Sequence, residues 1–479
     1  MVEVCFRDME KKPLHLRTWP YVVAALLAVA LFLFTAIDLR RGDPRPRGSA
    51  EDVAALATRD DVNILFIMID TLRADRLSAY GYERETSPLM DHLAGHGVRF
   101  ARHLAQSSWT KASMASLWTG LHPNRAGVTR FNDLLSSEAV MPAERLREAG
   151  FRTAGIWRNG WVAGYFGFDQ GFEVYDRPVS RPPPPEVRME NPTMKMVGTD
   201  MDAIVAAEDF LRVYKNERWF LYLHLMDIHE YTYDEDSARF GTSFSDIYDN
   251  SILRTDMELS HLFDILAAQG QLEKTLIVLT SDHGEAFMER GFEGHARKVY
   301  RETTEVPLIL SFPFTLEDEV VIESRTQGVD LWPTVLDLVG VDFAPGQTLD
   351  GRSRVPELMA ALRGEEIESA GAPSLAHLDQ TWGQRDVASR PTVAVSDGPL
   401  RYVQSVEPTG VLLEELFDAS VDPAELVNLA GDRPEDLARL RAVAEAYLEL
   451  GPVWGSETKK LDLDEIQLNQ LRALGYSLP

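Results

Sequence analysis

The chain has 479 residues and a formal net charge of −27. That length is ample for one large core plus a smaller second layer, and 45% hydrophobic with 26% charged residues is the balance of a globular protein. The acidic excess excludes nonspecific nucleic-acid binding, which needs a basic footprint, and gives no unaided attraction to an anionic membrane surface.

Residues 1–18 form a polar lead, and Trp19 to Ile37 is an uncharged, almost wholly apolar run. As a helix at roughly 1.5 Å per residue it reaches about 28 Å, close to the roughly 30 Å hydrocarbon core of a bilayer. It shows no polar face, and no small-x-small cleavage site precedes Asp38, so a transmembrane anchor is expected rather than a cleaved signal peptide. Arg7, Lys11, Lys12 and Arg17 before the span balance Arg40, Arg41, Arg45 and Arg47 after it, so flanking charge does not orient it. Cys5 is the only cysteine, which rules out an intrachain disulfide. Residues 38–61 open with a Pro/Gly/Arg stretch and read as a linker.

From Val62 the pattern changes. Val62 to Ile69 is a short, nearly continuous apolar run that suggests a central parallel strand ending at Asp70. Similar runs recur at Arg152–Trp157, Trp219–Met226, Thr275–Thr280 and Val306–Phe312. Helical patterns lie between them at Ala139–Ala149, Thr199–Tyr214 and Ile247–Ala268. Strands alternating with helices predict an α/β sheet covered on both faces, here over residues 62–345. Arg177 to Met196, with its run of four prolines, reads as a surface excursion. Residues 346–450 are expected to form a C-terminal subdomain. Its strands are predicted at Thr392–Val395, Leu400–Ser405 and Val411–Phe417, with a helix from Pro434 to Leu450 packed on this small antiparallel sheet. Within the tail, 451–479, Leu461 to Gly475 reads as an amphipathic helix with Ile466, Leu468, Leu471 and Leu474 along one face.

In α/β sheets ligands gather at the carboxyl ends of strands. Asp70 ends one strand and Ser281-Asp282-His283-Gly284-Glu285 ends another, an O/N donor set suited to a divalent cation. Taken singly, an aspartate after a strand is more often a turn or helix cap. Thr110 precedes a plausible helix, Ala112 to Trp118, where the ordinary role of threonine is an N-cap. The two roles are compatible, because a helix N-terminus offers free amides to an anion. An unassisted threonine hydroxyl is too weak a nucleophile at neutral pH.

These blocks, in order, resemble the sulfatase family of the alkaline phosphatase superfamily over roughly Asp61 to Leu429. They are Asn63 to Asp75, Thr110 to Gly127, Gly167 to Phe172, Phe220 to His229, Ser281 to Glu285, Gly294-His295 with Tyr300 and Val306 to Ile309, and Leu416-Phe417-Asp418 with Asp422-Pro423 and Asn428-Leu429. The resemblance implies an alkaline-phosphatase-like mixed sheet sandwiched by helices. It implies one divalent metal (Mn, Ca, Mg or Zn) held by Asp70, Thr110, Asp282 and His283. His229 and His295 would act on the transferred or leaving group, and Lys298, Arg297, Arg158 and Asn159 would contact the substrate. Two-metal relatives need further ligands, which Asp227, His229 and His295 could supply; their spacing favours one metal. The departures are informative. Thr110 stands where sulfatases carry the Cys or Ser that becomes formylglycine, Ala112 and Met114 replace the Pro and Arg of that motif, and Thr71 replaces a second Asp. Threonine is not converted, so phosphate-type esters are expected, as in membrane-anchored phosphoryl transferases of the superfamily. The catalytic domain is then expected outside the cytoplasm on a single-pass anchor (facing the periplasm from the inner membrane if bacterial), with a lipid or glycan ester among the possible substrates. A sulfatase working without formylglycine and a degenerate binding protein are the alternatives.

Overall fold

The computed structural model describes residues 43–178, 185–191, 198–343, 346, 349–365, 371–454, 458–474 and 478, together with Tyr21. Apart from Tyr21, the expected anchor at 19–37 lies outside the described residues, and among those described no helix is long and apolar enough to cross a membrane. The chain divides into a unit Met1–Pro44 and a unit Arg45–Pro479, and the second carries the sheets and helices of the fold.

The expected linker, 38–61, is helical over its second half. Ala50–Ala55 forms α1, followed by a 3-10 turn at Leu56–Thr58. Ser49 and Asp52 start it, with the Ser49 amide donating to Asp52 Oδ2 at 2.8 Å, and Val53 and Leu56 are buried. Arg45 is buried too and donates to Ser311 Oγ (2.6 Å) and the Phe312 carbonyl (2.8 Å). A capped start followed by two apolar residues at helical spacing was the signal, hidden by the Arg/Pro stretch before it.

The large sheet is built from β1 (Asn63–Ile69), β2 (Val98–Phe100), β3 (Arg152–Trp157), β4 (Val174–Asp176), β5 (Trp219–Leu225), β6 (Thr275–Thr280), β7 (Leu308–Ser311) and β8 (Val320–Ile322). Their order across it is β8-β2-β7-β6-β1-β5-β3-β4. β6, β1, β5, β3 and β4 pair in parallel, β2 pairs in parallel with β8, and β7 runs antiparallel to both its neighbours, so the sheet is mixed. Every residue of β1, β5 and β6 is buried, as continuous apolar runs require when helices cover both faces.

Alternate residues feed two cores. Phe66, Met68, Phe220, Tyr222 and Val278 face one side, where they meet helices α2 (Thr110–Thr119) and α3 (Leu331–Leu338). Leu65, Ile67, Leu221, Leu223 and Leu279 face the other, against α4 (Asp200–Tyr214) and α5 (Phe244–Ala268). On the first side Trp118 of α2 stacks on Trp332 of α3 with ring centroids 5.1 Å apart, and both meet Phe66 edge-on.

The C-terminal sheet gains a strand that the sequence reading lacked: β9 (Ser374–Asp379) precedes β10 (Pro391–Asp397), β11 (Leu400–Val406) and β12 (Leu412–Asp418), all antiparallel. One face packs on α6 (Pro434–Leu448) through Val393, Val395, Tyr402, Leu440 and Tyr447; the other, with Ala394, Val403 and Phe417, joins the main core. The tail helix is shorter than expected, Glu465–Arg472. It buries Leu468 and Leu471 but leaves Ile466 71% exposed, so Ile466 does not belong to the apolar stripe.

Candidate active site

Register places the site. Met68 of β1 lies opposite His224 of β5 and Thr280 of β6, while His224 lies opposite Trp157 of β3. Two residues beyond Met68, Thr280 and Trp157 stand Asp70, Asp282 and Asn159. Four adjacent parallel strands therefore deliver their chemistry to one carboxyl-terminal edge, the place where parallel sheets bind ligands.

The turns after these strands are tightly held. Thr71 is a buried non-glycine residue at φ 61°, a conformation that a β-branched residue adopts only when its surroundings enforce it. Tyr248 of α5 donates to the Thr71 carbonyl (2.7 Å) and accepts from the Arg73 amide (3.0 Å), while Thr71 Oγ1 donates to the Asp70 carbonyl (2.7 Å). Ser281 joins two strand ends, accepting from the Leu72 amide at 2.9 Å and donating to the His283 carbonyl at 2.7 Å. Gly284 is required by close approach, since a Cβ there would collide with the Glu302 carbonyl.

Thr110 differs from its predicted N-cap position. It is the first helical residue of α2, and Trp109, in extended conformation, is the cap. The Thr110 hydroxyl is thereby spared from capping its own helix and turned into the site, 3.2 Å from His283 Nε2. His283 Nδ1 lies 3.0 Å from the Gly284 carbonyl, which can only accept, so Nδ1 carries a hydrogen and Nε2 is the nitrogen turned to Thr110 and to Asp282 Oδ2, 3.4 Å away. Ser113 Oγ donates to the Asp282 carbonyl at 2.6 Å and ties α2 to the end of β6.

Asn159 is oriented by the Trp161 amide, which donates to its Oδ1 (2.8 Å), so that Nδ2 donates to Asp70 Oδ2 (2.6 Å) and to Thr110 Oγ1 (3.2 Å). It therefore braces the nucleophile candidate against a carboxylate, at the site where it is expected to contact substrate. Arg158, the other residue of this turn expected at the substrate, is engaged by protein groups. Its buried guanidinium reaches Asp200 Oδ1 (2.7 Å) and Asp227 Oδ1 (2.6 Å) and donates to the Gly198 carbonyl (2.9 Å). Arg254 lies 3.5 Å from Asp227 Oδ2. Asp200, Asp227 and Glu258 form a second buried acidic group, but these two guanidiniums answer its charge, so Asp227 is not presented as a further ligand beside Asp70. Lys298 donates to Ser405 Oγ (3.2 Å) on β11, and Arg297 is exposed.

Single donor atoms of Asp70, Asp282 and His283 all lie within 4.8 Å of one another, and all three residues are fully buried. Asp70 Oδ1 and Asp282 Oδ2 have no hydrogen-bond partner among the described residues. Leaving two buried carboxylate oxygens unmet is costly, and a cation of the hard or borderline class fits this donor set. Burial presses Asp70 upward, yet His229, His224 and His283 outweigh it and hold the carboxyl below its usual range; Asp282 is raised by burial and by the charge of Asp70.

His229 and His295 stand alongside. The rings of His229 and His295 are 4.9 Å apart, and those of His283 and His295 are 4.6 Å apart. His295 Nδ1 lies 2.9 Å from Glu285 Oε2, and the neighbouring Ala296 amide donates to the Ser108 carbonyl at 2.7 Å. Burial pulls His229 down, but Asp70, Glu230 and Glu285 override it and hold the ring up to about 9. His295 is lowered by burial and by its two histidine neighbours, against the pull of Glu285. His229 is thus set to carry a proton at neutral pH. Its stabilising contribution is complete below 6.5 and is lost as pH rises through about 9. Imidazole nitrogen shifts of cation-free protein should show His229 protonated near neutral pH; a neutral ring there contradicts this electrostatic picture.

Trp382, on the loop after β9, stacks on Trp109 (4.3 Å), meets Trp161 edge-on and donates its indole N–H to the Ala296 carbonyl (3.2 Å). Neither this residue nor the pair Tyr222–His224 was assigned a role from the sequence. In a wholly apolar strand a histidine reads as core, and nothing in the sequence ties Trp382 to the site.

Known proteins resemble this chain in sequence and in fold. The chain is 23% identical over 490 residues to Arylsulfatase K of Xenopus laevis, spanning 88% of this chain and 87% of that one. Two solved structures share the fold. The phosphonate monoester hydrolase of Agrobacterium radiobacter has a TM-score of 0.61 at 21% identity, covering 81% of this chain and 94% of the other. A 2-O GAG sulfatase has a TM-score of 0.63 at 22% identity, covering 81% and 92%. Residues 62–341, the stretch that contains Asp70, Thr110, Asp282 and His283 at one sheet edge, match the Sulfatase family model, and the chain belongs to the sulfatase family, a family of ester hydrolases.

Proposed function

We propose that the protein is a metal-dependent hydrolase or transferase of phosphate-type esters that uses Thr110 as its nucleophile. The observation that carries this reading is the Thr110 hydroxyl, buried at a helix N-terminus 3.2 Å from His283 Nε2, beside two unmet aspartate oxygens. Asp70, Asp282, His283 and Thr110 would hold one divalent cation. When bound, such a cation supplies charge stabilisation and lowers the pKa of a coordinated hydroxyl. Thr110 Oγ1, oriented by Asn159, gives up its proton to solvent and attacks the phosphorus in line; the bond to the leaving oxygen breaks as the bond to Thr110 forms. His229 gives its proton to that oxygen and takes one back from the water or acceptor alcohol that then attacks the phosphorus and displaces Thr110, whose oxygen is reprotonated from solvent. The first-turn amides of α2 face the developing anion. The apolar run 19–37 would anchor the chain in a membrane with this domain outside the cytoplasm.

A second reading, sulfate-ester hydrolysis without formylglycine, is favoured by the full-length similarity to an arylsulfatase. Parallel assays of aryl sulfate, aryl phosphate monoester and aryl phosphate diester separate the two. Faster turnover of phosphate esters is the expected result, and a strong preference for the sulfate would overturn it.

A further inference from the structure

We infer that His224, backed by Tyr222, is a positioning residue that fixes the Asp70 carboxylate so that Oδ1, and not Oδ2, is offered to the cation. The inference rests on the reading that Asp70 is a cation ligand, and it assigns a task to two residues to which that reading gives none.

Tyr222 and His224 are two positions apart on β5, so both side chains leave the same face of the sheet, the face covered by α2. Both are fully buried. His224 Nε2 lies 3.2 Å from Asp70 Oδ2, and His224 Nδ1 lies 2.6 Å from the Tyr222 hydroxyl. Asn159 Nδ2 reaches the same Asp70 oxygen at 2.6 Å. The carboxylate is therefore lopsided. Oδ2 accepts two hydrogen bonds from protein, while Oδ1 has no hydrogen-bond partner among the described residues and only His283 Nε2 standing off at 3.9 Å.

Hydrogen-bond direction follows by elimination. An ionised carboxylate only accepts, so the Nε2 of His224 must carry the hydrogen. With that hydrogen on Nε2, the Nδ1 lone pair can accept from the phenol of Tyr222. Tyr222 is enclosed by Phe66, Trp118 and Phe172, with ring centroids 5.6, 5.0 and 6.2 Å away, and its hydroxyl meets the imidazole within this apolar shell. Tyr222 thus supports the tautomer of His224 that faces Asp70, and His224, together with Asn159, holds Oδ2 so that Oδ1 is the oxygen left for the cation. Packing alone does not call for this pair. Apolar side chains fill the rest of that strand, and a buried imidazole is costly unless both nitrogens are met.

The test uses the full chain freed of metal and titrated calorimetrically with MnCl₂, alongside kcat and KM for an aryl phosphate diester. Tyr222→Phe and His224→Leu should each weaken Mn²⁺ binding by roughly 10–100-fold, the usual cost of losing a partner behind a ligand. Melting of the metal-free protein should be unchanged, and the loss of kcat should be recovered by excess Mn²⁺. His224→Gln, which keeps an N–H able to reach Asp70, should restore most of the affinity. Asp70→Asn is the reference and should abolish binding. If Tyr222→Phe and His224→Leu bind Mn²⁺ as the wild type does while Asp70→Asn does not, the positioning role is overturned. If Asp70→Asn also binds normally, the cation reading fails and the inference falls with it. Should His224→Leu not fold, Tyr222→Phe, which removes a single oxygen, decides the matter alone.

Discussion

Thr110→Ala should lower kcat by about 10⁴-fold or more, the scale on which removal of a covalent nucleophile is felt, with little change in stability. The fold should survive for a reason visible in the structure. Thr110 does not cap α2, because that place belongs to Trp109. Its hydroxyl meets side chains of the site, Asn159, His283 and Asp282, and Asn159 keeps its bond to Asp70 Oδ2 when that hydroxyl is gone. Thr110→Ser should keep the attacking oxygen but lose the methyl that restricts its rotamer, so a smaller decrease is expected. Rates for all three forms on each ester class, with melting curves beside them, check this. Activity of Thr110→Ala equal to wild type on any good substrate removes Thr110 from the chemistry.

Asp282→Asn should abolish divalent-cation binding, a loss beyond the roughly 10–100-fold attached to outer partners, and activity should go with it. Without cation the same substitution should leave melting unchanged or raise it. Asp282 and Asp70 are fully buried, and burial with the charge of Asp70 already pushes Asp282 upward. Replacing one member of this pair by a neutral amide removes a charge that the apo fold pays to bury. The amide oxygen can still accept from the Thr71 and His283 amides, which lie 3.4 and 3.0 Å from Asp282 Oδ1. Added cation should then stabilise the wild type and not the variant. Two observations would contradict this account: a variant that melts well below the wild type in chelator, or one that still gains stability from Mn²⁺.

The large sheet was legible because its central strands are buried on both faces. Asn63–Ile69, Arg152–Trp157 and Thr275–Thr280 are short apolar runs that end at Asp, Gly or Ser-rich turns. Val98–Phe100 was not, being three residues long, and neither was Ser374–Asp379, whose serine, histidine and aspartate are buried by tertiary packing that no local pattern announces. Asp70, Thr110, Asp282 and His283 carry motif spacing and do converge. Arg158 illustrates the opposite case. A charge in a sequence has no direction, and the carboxylates that claim this one lie 42 and 69 positions away. His224 was hidden by its own strand, where seven consecutive buried residues make an imidazole look like filling.

Trp382 joins the two layers at their most sensitive point. It belongs to the loop between β9 and β10, yet it stacks against Trp109, the residue immediately before Thr110, and holds the carbonyl beside His295. The small sheet is therefore not an appendage that could be exchanged among homologues at will. A chimaera carrying a foreign C-terminal sheet would alter the backing of both the attacking hydroxyl and the histidine loop, so the two halves of this protein are bound to diverge together.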